Sequence, residues 1–408
     1  MRRVVMTLAI LCLLITAAVR AQVEAPAPAS ATGWSTPIPL GSASAGIADV
    51  SLAVSEAGVV HVVWEDDGRL LHAYGAPTVN PGAAEVALGM SPALIGGQGS
   101  AAHVAFADRF GAQMDIYEAD WDGSGWSLPV SLLSTPEDSF APAADRWDTL
   151  LAVAWTESGA AYDEIYLATR SSPGPWFGGA VPGASGNAAD VCLDGQGIHL
   201  LFQQIDAGTL KQHLWYTVRI GMDWSLPVSV SNEPALNASA GRLACSAGSA
   251  HAVWQQETAT GYRIYYAAGS SAGWGAAAQV SGPADAFSPD LAQGGDGSLH
   301  LAWAQADAVA YRRWSAGAWG ATETVPASGW IVDVAIGAAP NGTVHLAWAE
   351  LGDDGLVRVM YAWRAAVSPT PMPTATPTPT ATKTATPTAT RPPAAKRIFL
   401  PVVFRGPR

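Results

Sequence analysis

In each of seven repeats an acidic or amide side chain stands two places after the repeat's aromatic residue. Asp66, Asp108, Glu157, Gln204, Gln256, Gln305 and Glu350 follow Trp64, Phe106, Trp155, Phe202, Trp254, Trp303 and Trp348. A second set, Asp49, Asp190, Asp290 and Asp333, opens short apolar runs upstream of those aromatics. Acids and amides near aromatic rings suit hydroxyl-rich ligands such as glycans, or a cation. The same side chains can also cap their own loops or tie neighbouring units together. Among the carboxylates, Glu157, Glu164 and Glu350 are candidates for the acid and nucleophile of a glycoside-cleaving enzyme.

Three places before six of the aromatics stands a histidine: His61, His103, His199, His251, His300 and His345, with Ala152 in the seventh copy. A metal site needs imidazoles that converge. One histidine per repeat radiates instead, so a structural bridge to a neighbouring strand or turn is expected. Close acid pairs occur at Asp66/Asp67, Asp120/Asp122 and Asp353/Asp354, but none has the Asp-x-Asp-x-Asp-Gly spacing that wraps one calcium ion. Calcium is the only ion these turns suggest, and no cofactor is expected. No Ser/His/Asp arrangement, phosphate loop or Cys/His cluster is present.

The elements that must carry these residues follow from the repeat. The seven aromatics are separated by 42, 49, 47, 52, 49 and 45 residues, a period typical of propellers or arrays. Each unit reads as a short strand, a Gly turn, the His/aromatic strand, a polar loop, a third strand, and a Gly/Ser turn into a fourth strand. Trp126, Trp176, Trp224, Trp274 and Trp319 open the fourth strands. No long stretch has a helical period. The last unit lacks its fourth strand, while a spare Trp-led segment, 34–40, precedes the first. Pairing the two would close the ring and remove an exposed edge. The expectation is an all-β, seven-bladed β-propeller over 32–366, with equal repeat positions at equal height around a central channel. Both sets of polar residues named above are therefore expected at one mouth of that channel.

Cys192 and Cys245 lie in the first strands of neighbouring units. Their positions differ by about one residue, so they can point to opposite faces of their strands, and pairing is left open.

The chain of 408 residues is 49% hydrophobic and 13% charged, which excludes a disordered or membrane-spanning character on average. Of its 21 basic residues, nine lie in 1–21 or 369–408, leaving 12 against all 34 acids in the body. A body that acidic repels phosphate backbones and excludes nucleic acid as a partner. Residues 1–21 have the basic start, apolar core and small-residue cleavage pattern of a secretory signal peptide. Residues 367–395 form a Pro/Thr-rich linker, and 396–408 a short tag with an apolar run too short to cross a bilayer. Linker and tag resemble those of some exported bacterial surface proteins. The expected location is secreted, at a bacterial cell surface, with a monomeric body and no transmembrane helix in the mature chain.

The turn Asp120-Trp121-Asp122-Gly123-Ser124-Gly125-Trp126 resembles a decayed Asp-box, Ser-x-Asp-x-Gly-x-x-Trp, with Trp121 in the Asp place. Residues 269–274 and 315–319 keep less of it. With the blade order, the chain is similar to sialidase-like (BNR/Asp-box) propellers. That resemblance implies glycan chemistry, but catalytic sialidases use an arginine triad, a Tyr–Glu pair and an Asp acid/base. Their Arg-Ile-Pro motif has no counterpart here, where the early segment reads Thr36-Pro37-Ile38-Pro39 and the arginines Arg109, Arg146, Arg219, Arg263 and Arg358 are scattered. The expected function is a non-catalytic binding propeller for a glycan or other surface polymer. The alternative is a sialidase-like glycoside hydrolase using channel-mouth carboxylates.

Overall fold

The computed structural model describes residues 33–43, 49–109, 113–231, 233–246 and 248–366. The expected signal peptide, linker and tag lie outside the described residues. Within them are seven antiparallel sheets of four or five strands and no helix. Each sheet is one blade of a propeller, and the blades follow the repeat in order. The alternation of side chains along each second strand explains the packing: both faces are covered by neighbouring blades, so these strands are apolar throughout. Leu150–Glu157 and Val344–Leu351 have almost no exposed residue. Trp64, Trp155, Trp254, Trp303 and Trp348 are buried to 1% exposure or less. Fully burying a large apolar side chain contributes roughly 1.5–3 kcal/mol.

The ring closes as the spare segment predicts. Ile38–Ala43 pairs antiparallel with Val357–Arg364, with Ile38 opposite Tyr361 and Gly41 opposite Val359. Trp34 bridges Arg364, and its indole N–H donates to Glu323 Oε2 at 3.1 Å. The expected fourth strands are present but interrupted. In blades four to six a two-residue piece at Trp224, Trp274 or Trp319 is followed by a second short piece against the same third strand.

The repeated histidines are structural. In blades four to seven, Nδ1 of His199, His251, His300 and His345 meets the hydroxyl of Tyr216, Tyr266, Tyr311 and Tyr361 at 2.6, 2.9, 2.8 and 2.7 Å. That tyrosine stands on the third strand, diagonally across the ladder. The outer tryptophan of the next blade then covers three of these tyrosines edge-on. Trp274 lies 5.2 Å from Tyr216, Trp319 5.3 Å from Tyr266, and Trp34 5.1 Å from Tyr311, centroid to centroid. Blade one uses His72 in the tyrosine place, and blade two turns His103 to Asp120. Blade three, with Ala152, has Leu167 where tyrosine would be, so both halves of the polar pair are absent together.

Cys192 and Cys245 form a disulfide between blades four and five, with Cα atoms 5.9 Å apart. Cys192 is opposite His199, whereas the residue opposite His251 is Ala244, so the one-position offset is real. It favours the bridge. Adjacent blades pack the front of one sheet on the back of the next, and residues pointing to opposite faces are the ones that meet.

Candidate functional site

The first strand of each blade is a sheet edge, and its outward N–H groups need partners. In blades two to seven this strand begins with a register shift. In blades two to six the shift carries a non-glycine residue in the left-handed region: Ser91, Ala141, Ala188, Ala240 and Ser288, at φ between 44° and 52°. Such bulges bend the strand and re-aim its side chains. The side chains thus directed bind the next blade. Leu193 N–H donates to Asp145 at 2.7 Å, Leu243 N–H to Asp190 at 2.6 Å, Ile336 N–H to Asp290 at 2.8 Å, and Val50 N–H to Asp333 at 3.0 Å. Ser51 does the same for Leu94 N–H at 3.0 Å. Each acid is a tie between neighbouring blades.

These residues also line the central channel, a cavity of 670 Å³. Counted by their partners on the second strand, its aspartates and Arg242 sit on three tiers. Asp333 is on the mouth tier, four places above the histidine level, and Asp49 lies just ahead of Val50 there. Asp190, Arg242 and Asp290 share the tier two residues deeper, and Asp145 lies opposite Ala152, two deeper again. Two residues of strand span about 6.6 Å. The four aspartates expected at one height therefore divide between two.

Burial in the channel pushes Asp145 and Asp333 up to about 7 and Asp190 up to about 6, with the Asp49 charge adding to the effect on Asp333. For Arg242, burial works against the charge, but the carboxylates of Asp190, Asp290, Asp333 and Asp49 outweigh it and hold the guanidinium above its ordinary value. Its Nε lies 3.5 Å from Asp290, and 41% of its side chain remains open to the channel. The other lining arginine, Arg146, is committed to Gly96 O, Asp148 O and the Glu56 carboxylate. Arg242 donates from Nη1 only to Gly241 O at 3.3 Å, so among the described lining residues it is the less committed cation inside an acidic bore.

The seven residues two places after the aromatics are placed elsewhere, and none of them lines the channel. Four accept the indole N–H of the tryptophan on their own strand: Glu157 from Trp155 at 3.1 Å, Gln256 from Trp254 at 3.0 Å, Gln305 from Trp303 at 3.2 Å and Glu350 from Trp348 at 2.9 Å. Asp108 and Gln204 follow phenylalanines, which have no N–H to offer. Asp108 accepts the Arg109 backbone N–H, and Gln204 pairs across the ladder with His213. Asp66 lies 3.7 Å from Arg69 and leaves the Trp64 indole without a hydrogen-bond partner. Equal repeat positions are at equal depth, but the side chains turn into the blades. Of the candidate carboxylates, Glu157 and Glu164 face each other across one ladder while Glu350 is four blades further on.

At the mouth that carries Asp49 and Asp333, three rings form a row across blades five, six and seven. Tyr262 lies 5.7 Å from Phe287, and Phe287 6.2 Å from Trp330. Trp330 is 49% exposed, and it opens the first strand of blade seven as Phe287 opens that of blade six. Repeat reading missed this row and Arg242 because both depart from the repeat. Counting back from the histidines would have found Arg242, which precedes His251 by nine positions as Asp190 precedes His199.

No protein-family model matches the chain, and no curated protein sequence does. Among solved structures, it is similar to a protein of unknown function from Dyadobacter fermentans (10% identity, TM-score 0.53, covering 82% of this chain and 100% of that one). It is also similar to the polysaccharide lyase Uly1 (11% identity, TM-score 0.52, covering 87% and 95%). Trypanosoma rangeli sialidase superposes more loosely (7% identity, TM-score 0.46, covering 78% and 54%). At such identities the likeness extends to the fold, which hosts many unrelated functions: the chain is a seven-bladed β-propeller.

Proposed function

We propose that this chain is an exported, surface-attached propeller that binds a glycan or similar polymer and performs no chemistry on it. The aromatic row Tyr262–Phe287–Trp330 carries the reading. A row of rings beside a polar mouth, with Trp330 exposed and Tyr262 and Phe287 half-buried, offers flat apolar faces to sugar rings, with hydrogen-bonding groups alongside. The channel acids favour a neutral or basic polymer over an anionic one. Asp145, Asp190, Asp290 and Asp333 hold backbone amides of the next blade, a structural duty that accounts for their placement without a glycosidic bond between them. The basic start, Pro/Thr linker and apolar tag supply the address: export, a spacer and an attachment segment.

A glycan-array screen of the full chain, run beside a fluorogenic sialoside assay, tests this. Binding to neutral or amino-sugar polymers is expected, weakened at least about tenfold in a Trp330→Ala/Phe287→Ala variant whose melting temperature stays near that of the parent. Turnover of the sialoside, or a variant that binds as the parent does, would overturn the reading.

A further inference from the structure

Every described histidine but one has a hydrogen-bond partner on its ring. The exception is His213, which is only 7% exposed and opens the third strand of blade four, Gln212–Ile220. Its ring makes no hydrogen bond within the described residues and faces the Asp206 carboxylate, which feels its charge. His213 lines a cavity of 490 Å³, within the range of about 300–1,000 Å³ that holds small-molecule ligands.

The cavity is away from the central channel. Trp215 is two residues further along the strand, so it lies on the same face as His213 and lines the same space. Its indole N–H has no acceptor among the described residues. The loop forming another wall is fixed by Asp206, whose Oδ1 accepts from Gly208 N–H at 3.1 Å, Thr209 N–H at 2.8 Å and the Thr209 hydroxyl at 2.9 Å. Ser229 donates its hydroxyl proton to Ser231 O at 3.0 Å, which leaves its oxygen lone pairs free to accept. The space is thus bounded by an aromatic ring, an imidazole with no hydrogen bond on its ring that can donate at one nitrogen and accept at the other, the Asp206 carboxylate beside it, and a hydroxyl oxygen set to accept. Groups of that kind match a ring with one apolar face and hydroxyls around its edge.

We propose that this pocket in blade four is a second saccharide subsite, taking one neutral sugar ring, with Trp215 under the ring and His213 on a hydroxyl. It rests on the glycan reading only for the suggestion that the ring belongs to the same polymer. The second strand of blade four ends in the loop beside the pocket, at the mouth where Tyr262 opens its strand after the equivalent loop of blade five. Two subsites on one face let a polymer bind more tightly than either does alone.

The test uses the full chain with histidine-specific ¹⁵N labelling, and N-acetylglucosamine, glucose, mannose and galactose as probes. At least one sugar should shift the ring signals of a single histidine, and the shift should vanish in His213→Ala and in Trp215→Leu. It should persist in Trp330→Ala/Phe287→Ala. For a soluble pentamer of the responding sugar, His213→Ala should weaken binding about tenfold. No response to any of the four sugars, or a response that survives both pocket variants, overturns the subsite. Two variants guard against misfolding, since each must keep the parent's melting temperature to count. If the pocket variants weaken pentamer binding and the Trp330→Ala/Phe287→Ala variant does not, the subsite stands and the aromatic row falls; the reverse result sinks the subsite alone.

Discussion

The histidine belt inside the blades and the charged bore between them are both rings of polar groups, built on different logic. The belt repeats: one imidazole per blade in six of seven, each with a partner on or across its own sheet, each blade solving the same packing problem in the same way. The bore varies: at one tier, successive blades carry Asp190, Arg242 and Asp290, while blades one to three offer Ser51, Ala93 and Ala143. Repetition marks what a blade needs in order to be a blade. Departure from repetition, as at Arg242, Trp330 and His213, marks where the ring is no longer symmetric and a ligand can tell one blade from another.

If that contrast holds, the largest loss should come from the belt. His345→Ala removes a side chain that is 1% exposed, leaves a cavity and strips the Tyr361 hydroxyl of its imidazole partner, leaving it the Val79 backbone alone. Together these should cost about 2–4 kcal/mol. Adding Tyr361→Leu copies the Ala152/Leu167 solution of blade three, but it also gives up the Val79 backbone bond, so the double variant should be no more than about 1 kcal/mol from His345→Ala. In the bore, Asp333→Ala gives up one bond to Val50 N–H at the edge of a water-accessible channel and should cost only about 1 kcal/mol. Urea denaturation of the four proteins ranks them, and a bore variant less stable than the belt variant would break the comparison.

The two rings also respond to acid in opposite directions. Burial holds His300 and His345 down to about 4, against 6.5 for the free side chain. The unfolded chain binds protons there that the fold refuses, so their contribution is complete above about 6.5 and is lost as pH falls toward 4. Asp145 and Asp333 run the other way: pushed up to about 7 from 3.8, they keep protons the unfolded chain has released, and stability falls as pH rises from about 4 to 7. An Asp145→Asn/Asp333→Asn variant keeps an acceptor for Leu193 and Val50 while removing the titration. It should gain about 1–2 kcal/mol relative to wild type between pH 4 and pH 7, with channel water limiting the size of the effect. Parallel stability profiles for the two proteins across that range would show that the bore does not titrate as described.

Much of the architecture was legible because closure is a physical demand. An unpaired Trp-led segment at one end and a missing strand at the other admit one economical solution, and Trp34 opposite Arg364 is that solution. The site was less legible, for two reasons. The bulges at Ser91, Ala141, Ala188, Ala240 and Ser288 shift the first strands, so residues that look equivalent by strand start, such as Asp190 and Asp333, lie on different tiers. Side-chain direction is also not carried by repeat position. Glu157 and Glu350 stand where a ring around the mouth was expected, yet their own neighbours Trp155 and Trp348 claim them. The cysteines show the same limit, since whether opposite faces help or hinder a bridge depends on which blade faces which.

The smallest expected effect is the sharpest, because it is a gain. Four of the five buried tryptophans have an acceptor two residues on, and Trp64 has Asp66 there instead of a Glu or Gln. Aspartate is one methylene shorter, and the Trp64 indole N–H is buried without a partner. The ring cannot shift to meet it, since Gly41 on the closing strand lies so near that a Cβ there would stand 2.6 Å from Trp64 Cζ2. Asp66→Gln supplies the missing length and keeps a polar group in place, giving up the charge in contacts that include one to Arg69 at 3.7 Å, half exposed on the arginine side. A buried orphan donor that finds its acceptor should yield about 1 kcal/mol. Asp108→Gln is the control, because Phe106 has no N–H, and that change should stay within about 0.5 kcal/mol. If urea midpoints show the two substitutions to be equal, the acid or amide after each aromatic is not there for the indole, and the belt loses its claim to be the part of the molecule that repeats for structural reasons.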